Sequence, residues 1–233
     1  QDITHGFRSL MRTPSFLIAA LLTLALGIGS TAAIFSIAYA VMLKPVPYPD
    51  AHRLYVLSSA STWSLTGEIF HHVRDRVRVF ENVAAEGGSV GWNLVVSDRA
   101  EHVNGRRVTR GYFDVIGVTP AIGRGFSVGE DTAGGPRVTV LSAALARRLF
   151  GDRSNIIGET VLVSGTAHTV VGVMPASFSN ESWAATAWDL WLPLGLSDEQ
   201  RAVRENHNLQ VIARLRPGVD VSSATSELEV IAK

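Results

Sequence analysis

The 233-residue sequence has no cysteine, which removes disulfides, thiolate zinc sites and thiol nucleophiles at once. It also has no net charge, since 21 basic residues are matched by 21 acidic ones. A protein that gains affinity by neutralising phosphates needs a basic excess, so the balance argues against a dedicated nucleic-acid binder. No H-E-x-x-H, G-x-G-x-x-G or G-K-[ST] occurs, so neither a zinc-protease helix nor a P-loop is present. No catalytic residue, metal site or cofactor is read from the chain. An initiator methionine is missing too, and the expectation is a piece cut from something longer.

Charge is missing locally as well. From Thr13 to Leu43 there is no Asp, Glu, Lys, Arg or His, a run of 31 residues. A bilayer core about 30 Å thick takes roughly 20 helical residues, so the run predicts a membrane span with length to spare. A signal peptide competes, because Ala38-Tyr39-Ala40 imitates a cleavage site. Its apolar region, however, should be only about 7–15 residues long. Flanking charges leave the orientation open, with Arg8 and Arg12 on one side and Lys44 and Arg53 on the other. Before the span, Ile3, Phe7, Leu10 and Met11 form a stripe expected of a short amphipathic helix at the membrane surface.

At the centre of the span, "LTLALGIGSTAAIFS" carries small residues that a mere anchor does not need. At about 100° per residue, Leu17, Leu21, Leu24, Ile28, Phe35 and Tyr39 share one arc. Ala25, Gly29, Ala33, Ser36 and Ala40 share another, while Gly27, Ser30 and Thr31 lie on a third side. Bulk towards lipid and small residues towards protein is how a helix packs in a bundle. The five residues of the small arc are therefore the candidate packing face.

"KPVPYPD" (Lys44 to Asp50) ends the span, because its alternating prolines force an extended exit. Beyond it the pattern mixes strands and helices, predicting an α+β domain. "LYVLS" reads as a strand, and Thr66 caps a helix with a stripe of Ile69, Phe70, Val73, Val77 and Phe80. "WNLVVS" and "HVNGRRVT" read as strands and "GYFDVIG" as a short helix. "RVTVL" precedes a helix capped by Ser142 and stopped at Gly151. "ETVLVSGTAHTVVGVMP" is a hairpin turning at Ser164-Gly165-Thr166, and "LQVIARL" a strand before a helix capped by Asp220.

Three stretches could carry chemistry. "GGSVG" (Gly87 to Gly91) matches the nucleophile elbow G-x-S-x-G, yet a strand pattern follows Ser89 where that mechanism needs a helix. A glycine-rich connection between strands is the better expectation. "GRGFSVGED" (Gly123 to Asp131) gathers glycines beside Glu130 and Asp131 without matching any phosphate loop. Trp183, Trp188 and Trp191 cluster with Phe178, as a ligand cleft, an exposed partner patch or, on the stronger expectation, as core. Adjacent His71 and His72 point about 100° apart and read as a solvated helix face.

Five blocks in order resemble a known family: "LTLALGIGSTAAIFSIAYAVMLKPVPYPDAHRL", "VTRGYFDVIGVTPAIGRGFSVGED", "VTVLSAALARRLFG", "IIGETVLVSGTAHTVVGVMPASF" and "ARLRPGVDVSSATSELEVIA". They resemble the MacB/FtsX-like permeases of ABC transporters, most of all the duplicated orphan permeases of acidobacteria. The resemblance implies a cytosolic amphipathic segment over 1–13, a transmembrane helix over 14–43 and an extracytoplasmic mixed α/β core domain of two subdomains over 44–233. It also implies the bacterial inner membrane, a separate cytosolic ABC ATPase, a permease dimer, a possible periplasmic adaptor and later membrane helices. Function by this resemblance is transmission of ATPase-driven motion to an extracytoplasmic domain, for efflux or periplasmic work, with no catalytic residues. The competing expectation is a binding or sensor domain tethered by one helix.

Overall fold

The structure, a computed structural model, describes residues 14–38, 48–58, 64–96, 99–151, 153, 155–178, 188–197, 199–200 and 208–231. The chain divides into two compact units between Val46 and Pro47. In the first, the described residues form one helix, α1 (Pro14–Ala38). Its 25 residues reach about 37 Å at 1.5 Å per residue, more than the roughly 30 Å of a hydrocarbon core. Among the described residues α1 is the one helix long and apolar enough to cross a membrane. The amphipathic segment expected over 1–13 and the last expected turn over 39–43 lie outside the described residues.

The second unit begins with a single 3-10 turn (Ala51–Arg53) and β1 (Leu54–Leu57), then α2 (Gly67–Arg76). Two long strands follow, β2 (Phe80–Val96) and β3 (Arg99–Val108), then α3 (Tyr112–Ile116) and β4 (Ile122–Gly123). The next group is β5 (Val138–Leu141), α4 (Ala143–Phe150), β6 (Thr160–Val163) and β7 (Thr166–Val173). β8 (Leu190–Pro193), β9 (Leu209–Leu215) and α5 (Val221–Ile231) complete it. One mixed sheet runs β1-β9-β2-β3-β8-β5-β7-β4, and β6 pairs with both β2 and β7. The fold is the expected mixture of strands and helices.

Local signals explain most of these elements. Thr66 Oγ1 accepts from the Ile69 amide at 3.3 Å, Ser142 Oγ from Leu145 at 3.1 Å, and Asp220 Oδ1 from Ser223 at 2.9 Å. Each satisfies a first-turn amide that would otherwise lack a partner. Ser164 (φ 46°) and Gly165 (φ 79°) turn the β6–β7 hairpin, and two consecutive positive φ values match the right-handed twist of the flanking strands.

Two hydrophobic cores share the sheet. Phe70 and Val73 of α2, Val211, Ala213 and Leu215 of β9 and Ala224 of α5 lie in the first. Leu94, Val103, Leu145 of α4, Val161, Val170 and Leu190 lie in the second. β2 joins them: Phe80–Gly87 pairs with β9, whereas Glu86 and Ser89–Val96 pair with β3. At about 3.3 Å per residue this strand is roughly 56 Å long, enough to belong to both. A register shift between Glu86 and Ser89 marks the handover, so the glycines expected between strands instead form an irregularity within one. Val77 and Phe80 are buried as the stripe predicts, but α2 stops at Arg76 and Phe80 opens β2.

Alternation along β9 gives the sheet a second packed face. With Val211, Ala213 and Leu215 turned to the first core, Ile212 and Arg214 point the other way. There α3 contributes buried Tyr112, Phe113, Val115 and Ile116.

Candidate functional site: the α1 face and the clamp on the inbound chain

On α1, the predicted face divides into what is described and what is not. Ala25, Gly29, Ala33 and Ser36 lie in the helix and are exposed, whereas Ala40 lies outside the described residues. A Cβ added at Gly27 or Gly29 meets nothing within 4 Å. Hydroxyls on the helix bond inward: Thr23 Oγ1 donates to the Ala19 carbonyl at 2.8 Å, Thr31 Oγ1 to Gly27 at 2.8 Å, and Ser30 Oγ to Leu26. Such i–4 bonds let hydroxyls sit in hydrocarbon without an unsatisfied donor. The 100° spacing also puts Ile18 and Leu22 on the same arc, so the small surface starts only at Ala25.

In the second unit, the first described residues after α1 are Tyr48, Pro49 and Asp50, and they are firmly held. Arg214, only 5% exposed, donates Nη1 and Nη2 to the Pro49 carbonyl at 3.0 and 3.1 Å. Its Nε donates to the Val115 carbonyl of α3 at 2.7 Å. One guanidinium thereby ties the inbound chain and α3 to β9. Gly117 (φ 73°) leaves the space, because a Cβ there would lie 3.0 Å from Nη2. Burial and the neighbouring Arg53 pull the Arg214 pKa below the ordinary guanidinium value, opposed by Glu81 and Asp50. It stays charged nonetheless, since arginine does not lose its proton in proteins.

A second clasp works beside it. Arg53 donates Nε to the Leu215 carbonyl at 2.8 Å and pairs with Glu81. β1 then pairs antiparallel with β9, Leu54 opposite Arg214. The segment that brings the chain in is bonded to the strand that leads through Pro217-Gly218 to α5.

Tyr48 is buried against Phe178, with ring centres 6.2 Å apart. Phe178 meets Trp191 at 5.6 Å, and Trp191 meets Phe113 of α3 edge-on at 5.8 Å. Trp188 and Trp191 are buried, so the aromatic cluster is core; Trp183 lies outside the described residues. Arg106 stacks 4.7 Å over Trp188 and pairs with Glu86, which is 2% exposed. Burial lowers the Arg106 pKa, with Tyr112 and Tyr48 opposing. Burial raises that of Tyr48, so this phenol is neutral at ordinary pH.

The other sequence candidates take structural roles. Ser89 stands in mid-strand opposite Arg106, with β2 continuing to Val96, so the strand-to-helix elbow of a serine hydrolase is not built there. Among the described residues no group of three His, Cys, Asp or Glu could hold a metal. In "GRGFSVGED", Glu130 accepts from Arg124 through two nitrogens at 2.7 and 2.9 Å and from the Ser127 amide at 2.6 Å. Asp131 accepts from the Arg110 and Gly195 amides at 3.0 and 3.1 Å. These carboxylates fasten a loop.

A pH dependence follows from that fastening. The Arg124 hydrogen bond, with Ser127 and the Arg124 charge adding to it against burial, lowers the Glu130 pKa from 4.5. A depressed carboxylate stabilises fully above its unfolded pKa and loses that contribution as pH falls through its lower native value. Arg124 is half exposed, so solvent screening keeps the gain small. Exchange of the Ser127 amide is expected to speed up below about pH 4.5 beyond its intrinsic rate in the native chain. A Glu130→Gln chain is expected to show the faster exchange at neutral pH as well; equal protection in both chains would refute the role.

The family model described as "MacB-like periplasmic core domain" matches residues 17–231, from within α1 to the end of α5. The chain belongs to this family. As a MacB-like core domain it has the fold of solved relatives. The periplasmic region of MacB from Actinobacillus actinomycetemcomitans is 17% identical, with a TM-score of 0.57 over 77% of this chain and 81% of that one. The extracellular domain of the noncanonic ABC-type transporter YknZ from Gram-positive bacteria is 18% identical, with a TM-score of 0.52 over 75% and 86%. Among curated proteins, the macrolide export ATP-binding/permease protein MacB of Salmonella paratyphi A is 30% identical over 131 residues, 54% of this chain and 19% of that protein. The MacB-like chain therefore matches about a fifth of the length of these relatives. Its family is a transporter permease domain rather than an enzyme class.

Proposed function

We propose that this chain is the N-terminal part of an ABC transporter permease subunit, with residues 1–13 in the cytosol, 14–43 spanning the inner membrane and 44–233 outside it. The observation that carries the reading is the family match, which takes in an apolar helix and the core domain together. A cytosolic ABC ATPase would supply the motion, and the core domain would pass it on for efflux or other periplasmic work. The Arg214 clamp supports this division of labour, because a domain that is driven through its chain ends needs them fastened to its sheet. Dimerisation and a periplasmic adaptor belong to the same proposal. So does the use of Ala25, Gly29, Ala33, Ser36 and Ala40 as the face that meets other permease helices.

These 233 residues hold no cysteine, so a single introduced thiol reports its own position once any cysteine elsewhere in the full-length protein has been replaced by serine. With the full-length protein in its native membrane, Ala133→Cys is expected to react with a membrane-impermeant maleimide in intact spheroplasts. Ser9→Cys should react only after lysis. The affinity-purified protein is expected to bring an ABC ATPase with it. The reverse labelling pattern would overturn the orientation, and purification without any ATPase would favour the tethered sensor.

A further inference from the structure

A cleft of about 390 Å³ opens on the second core, between β3, β7, the β6–β7 turn and the loop that carries Gly134 and Gly135. Arg107, Arg137 and His168 line it together with the hydroxyl residues Ser164 and Thr166. We propose that this cleft binds a compact oxyanion, a phosphate ester or a carboxylate, held by Arg107 and Arg137 with His168 as a third donor.

Charge balance is the first argument. Among the described residues neither Arg107 nor Arg137 forms an ion pair. Among the described residues Glu130 is the sole carboxylate lining the cleft, and its two oxygens are already taken by Arg124 and the Ser127 amide. Two guanidinium groups thus face one concavity with no acid left to balance them. An arginine fork matches carboxylate and phosphate geometry, and its bonds to them are among the stronger hydrogen bonds in proteins.

Preorganisation is the second argument. Arg107 stacks 5.9 Å from the Trp92 ring centre and donates to the Pro193 carbonyl at 3.4 Å, which limits where its head can go. The Arg137 backbone is fixed by the bond from the Thr169 amide to its carbonyl at 2.9 Å. His168 is 9% exposed, and its Nδ1 lies 2.9 Å from the Thr166 carbonyl. A carbonyl can only accept, so Nδ1 carries the proton and Nε2 remains as the other working nitrogen. Burial lowers the His168 pKa, and the charges of Arg107 and Arg137 lower it further against the Thr166 bond. The ring is therefore neutral when the cleft is empty. A bound dianion reverses the local field and favours uptake of a proton at Nε2. The three groups then act as one cationic cradle only when it is filled.

The test uses the full chain in nanodiscs of zwitterionic lipid, titrated calorimetrically with inorganic phosphate, citrate or a short-chain phosphatidylglycerol. Saturable binding is expected, weakened about ten-fold or more by Arg137→Gln and by Arg107→Gln, each a lost charged contact. Arg147→Gln, the same charge change on α4 away from the cleft, is expected to bind normally. In parallel, the His168 ring resonances should move towards the protonated position as phosphate saturates. Binding by phosphate or citrate points to a soluble ligand, and binding by the lipid alone points to a headgroup at the same cradle. The proposal is overturned if none of the three probes binds, if Arg147→Gln weakens binding as much as the cleft variants, or if His168 does not respond. Arg137 is exposed, so its variant keeps the test open should Arg107→Gln disturb the Trp92 stack. The outcome is independent of the permease reading, which stands or falls on the ATPase and the membrane topology.

Discussion

An Arg214→Leu chain is expected to melt roughly 6–12 °C below the native one, and the full-length protein carrying it, working as the permease proposed above, to lose transport out of proportion to the amount of folded protein that remains. Arg214 is buried and makes three hydrogen bonds to two carbonyls, those of Pro49 and Val115. Bonds to a charged group contribute about 1.5–3 kcal/mol each in net terms, and an acceptor left dry costs about 1–3 kcal/mol. Leucine returns some apolar burial, so a net loss of about 3 kcal/mol is reasonable for the set. A domain of this size shifts by about 2–4 °C per kcal/mol, which gives the range. Lysine is the informative control: its single ammonium cannot serve Val115 and Pro49 through a rigid fork, so Arg214→Lys should fall between native and leucine. Limited proteolysis should then cut near Tyr48–Asp50 in the leucine chain before it cuts elsewhere in the domain. A melting point within about 2 °C of native, or a cleavage pattern like that of the native chain, would show that the clamp does not hold the inbound segment.

How much of this was legible in the sequence depends on the range of the interaction. Thr66, Ser142 and Asp220 cap helices within three residues of themselves, and Ser164-Gly165 makes its turn alone, so both kinds of signal survive in a single sequence. β8 did not stand out. "LWLP" is four residues ending in proline, and it becomes a strand by pairing parallel with β3 and antiparallel with β5, partners that no local pattern names. β2 does not read as one strand for the opposite reason: its glycines look like a break, but pairing on both sides carries the backbone across the irregularity.

The clamp was half legible. A lone arginine in "LQVIARL" is an anomaly on a strand otherwise almost wholly buried, and a buried cation needs partners. Those partners include a carbonyl 165 residues earlier, contributed by a backbone that any sequence could supply. Arg107, Arg137 and His168 share this feature. Their convergence depends on β7 lying beside β5, for Arg137 and His168, and on β8 joining β3 to β5, for Arg107, which brings together residues whose spacing in the chain carries no motif.

Gly29→Leu and Ala33→Leu are expected to insert normally and yet to reduce assembly of the full-length permease by about ten-fold or more, with transport falling alongside. Insertion should not suffer, because leucine is among the most favourable residues at the centre of a membrane helix. Helix formation should not suffer either: leucine is a better helix former than glycine and close to alanine, and there is open space around the Gly29 Cβ position. What changes is the surface. Helices in lipid associate through close backbone approach at small residues, and overpacking a close contact costs typically about 1–3 kcal/mol, a factor of roughly 5 to 150 in an association constant. Leu24→Ala and Ile28→Val, on the bulky arc, supply the contrast; lipid adapts to either, so both should assemble normally. Cross-linking yield of the membrane complex and co-purified ATPase activity read the outcome. If both small-face variants assemble like the native chain, α1 is an anchor and its glycines carry no contact. If the bulky-arc variants fail instead, the packing face has been placed on the wrong side of the helix. A selective loss at Gly29 and Ala33 would mean that α1 meets its neighbours along the part of its length that begins at Ala25, because nearer the N-terminus Ile18 and Leu22 hold a second helix away.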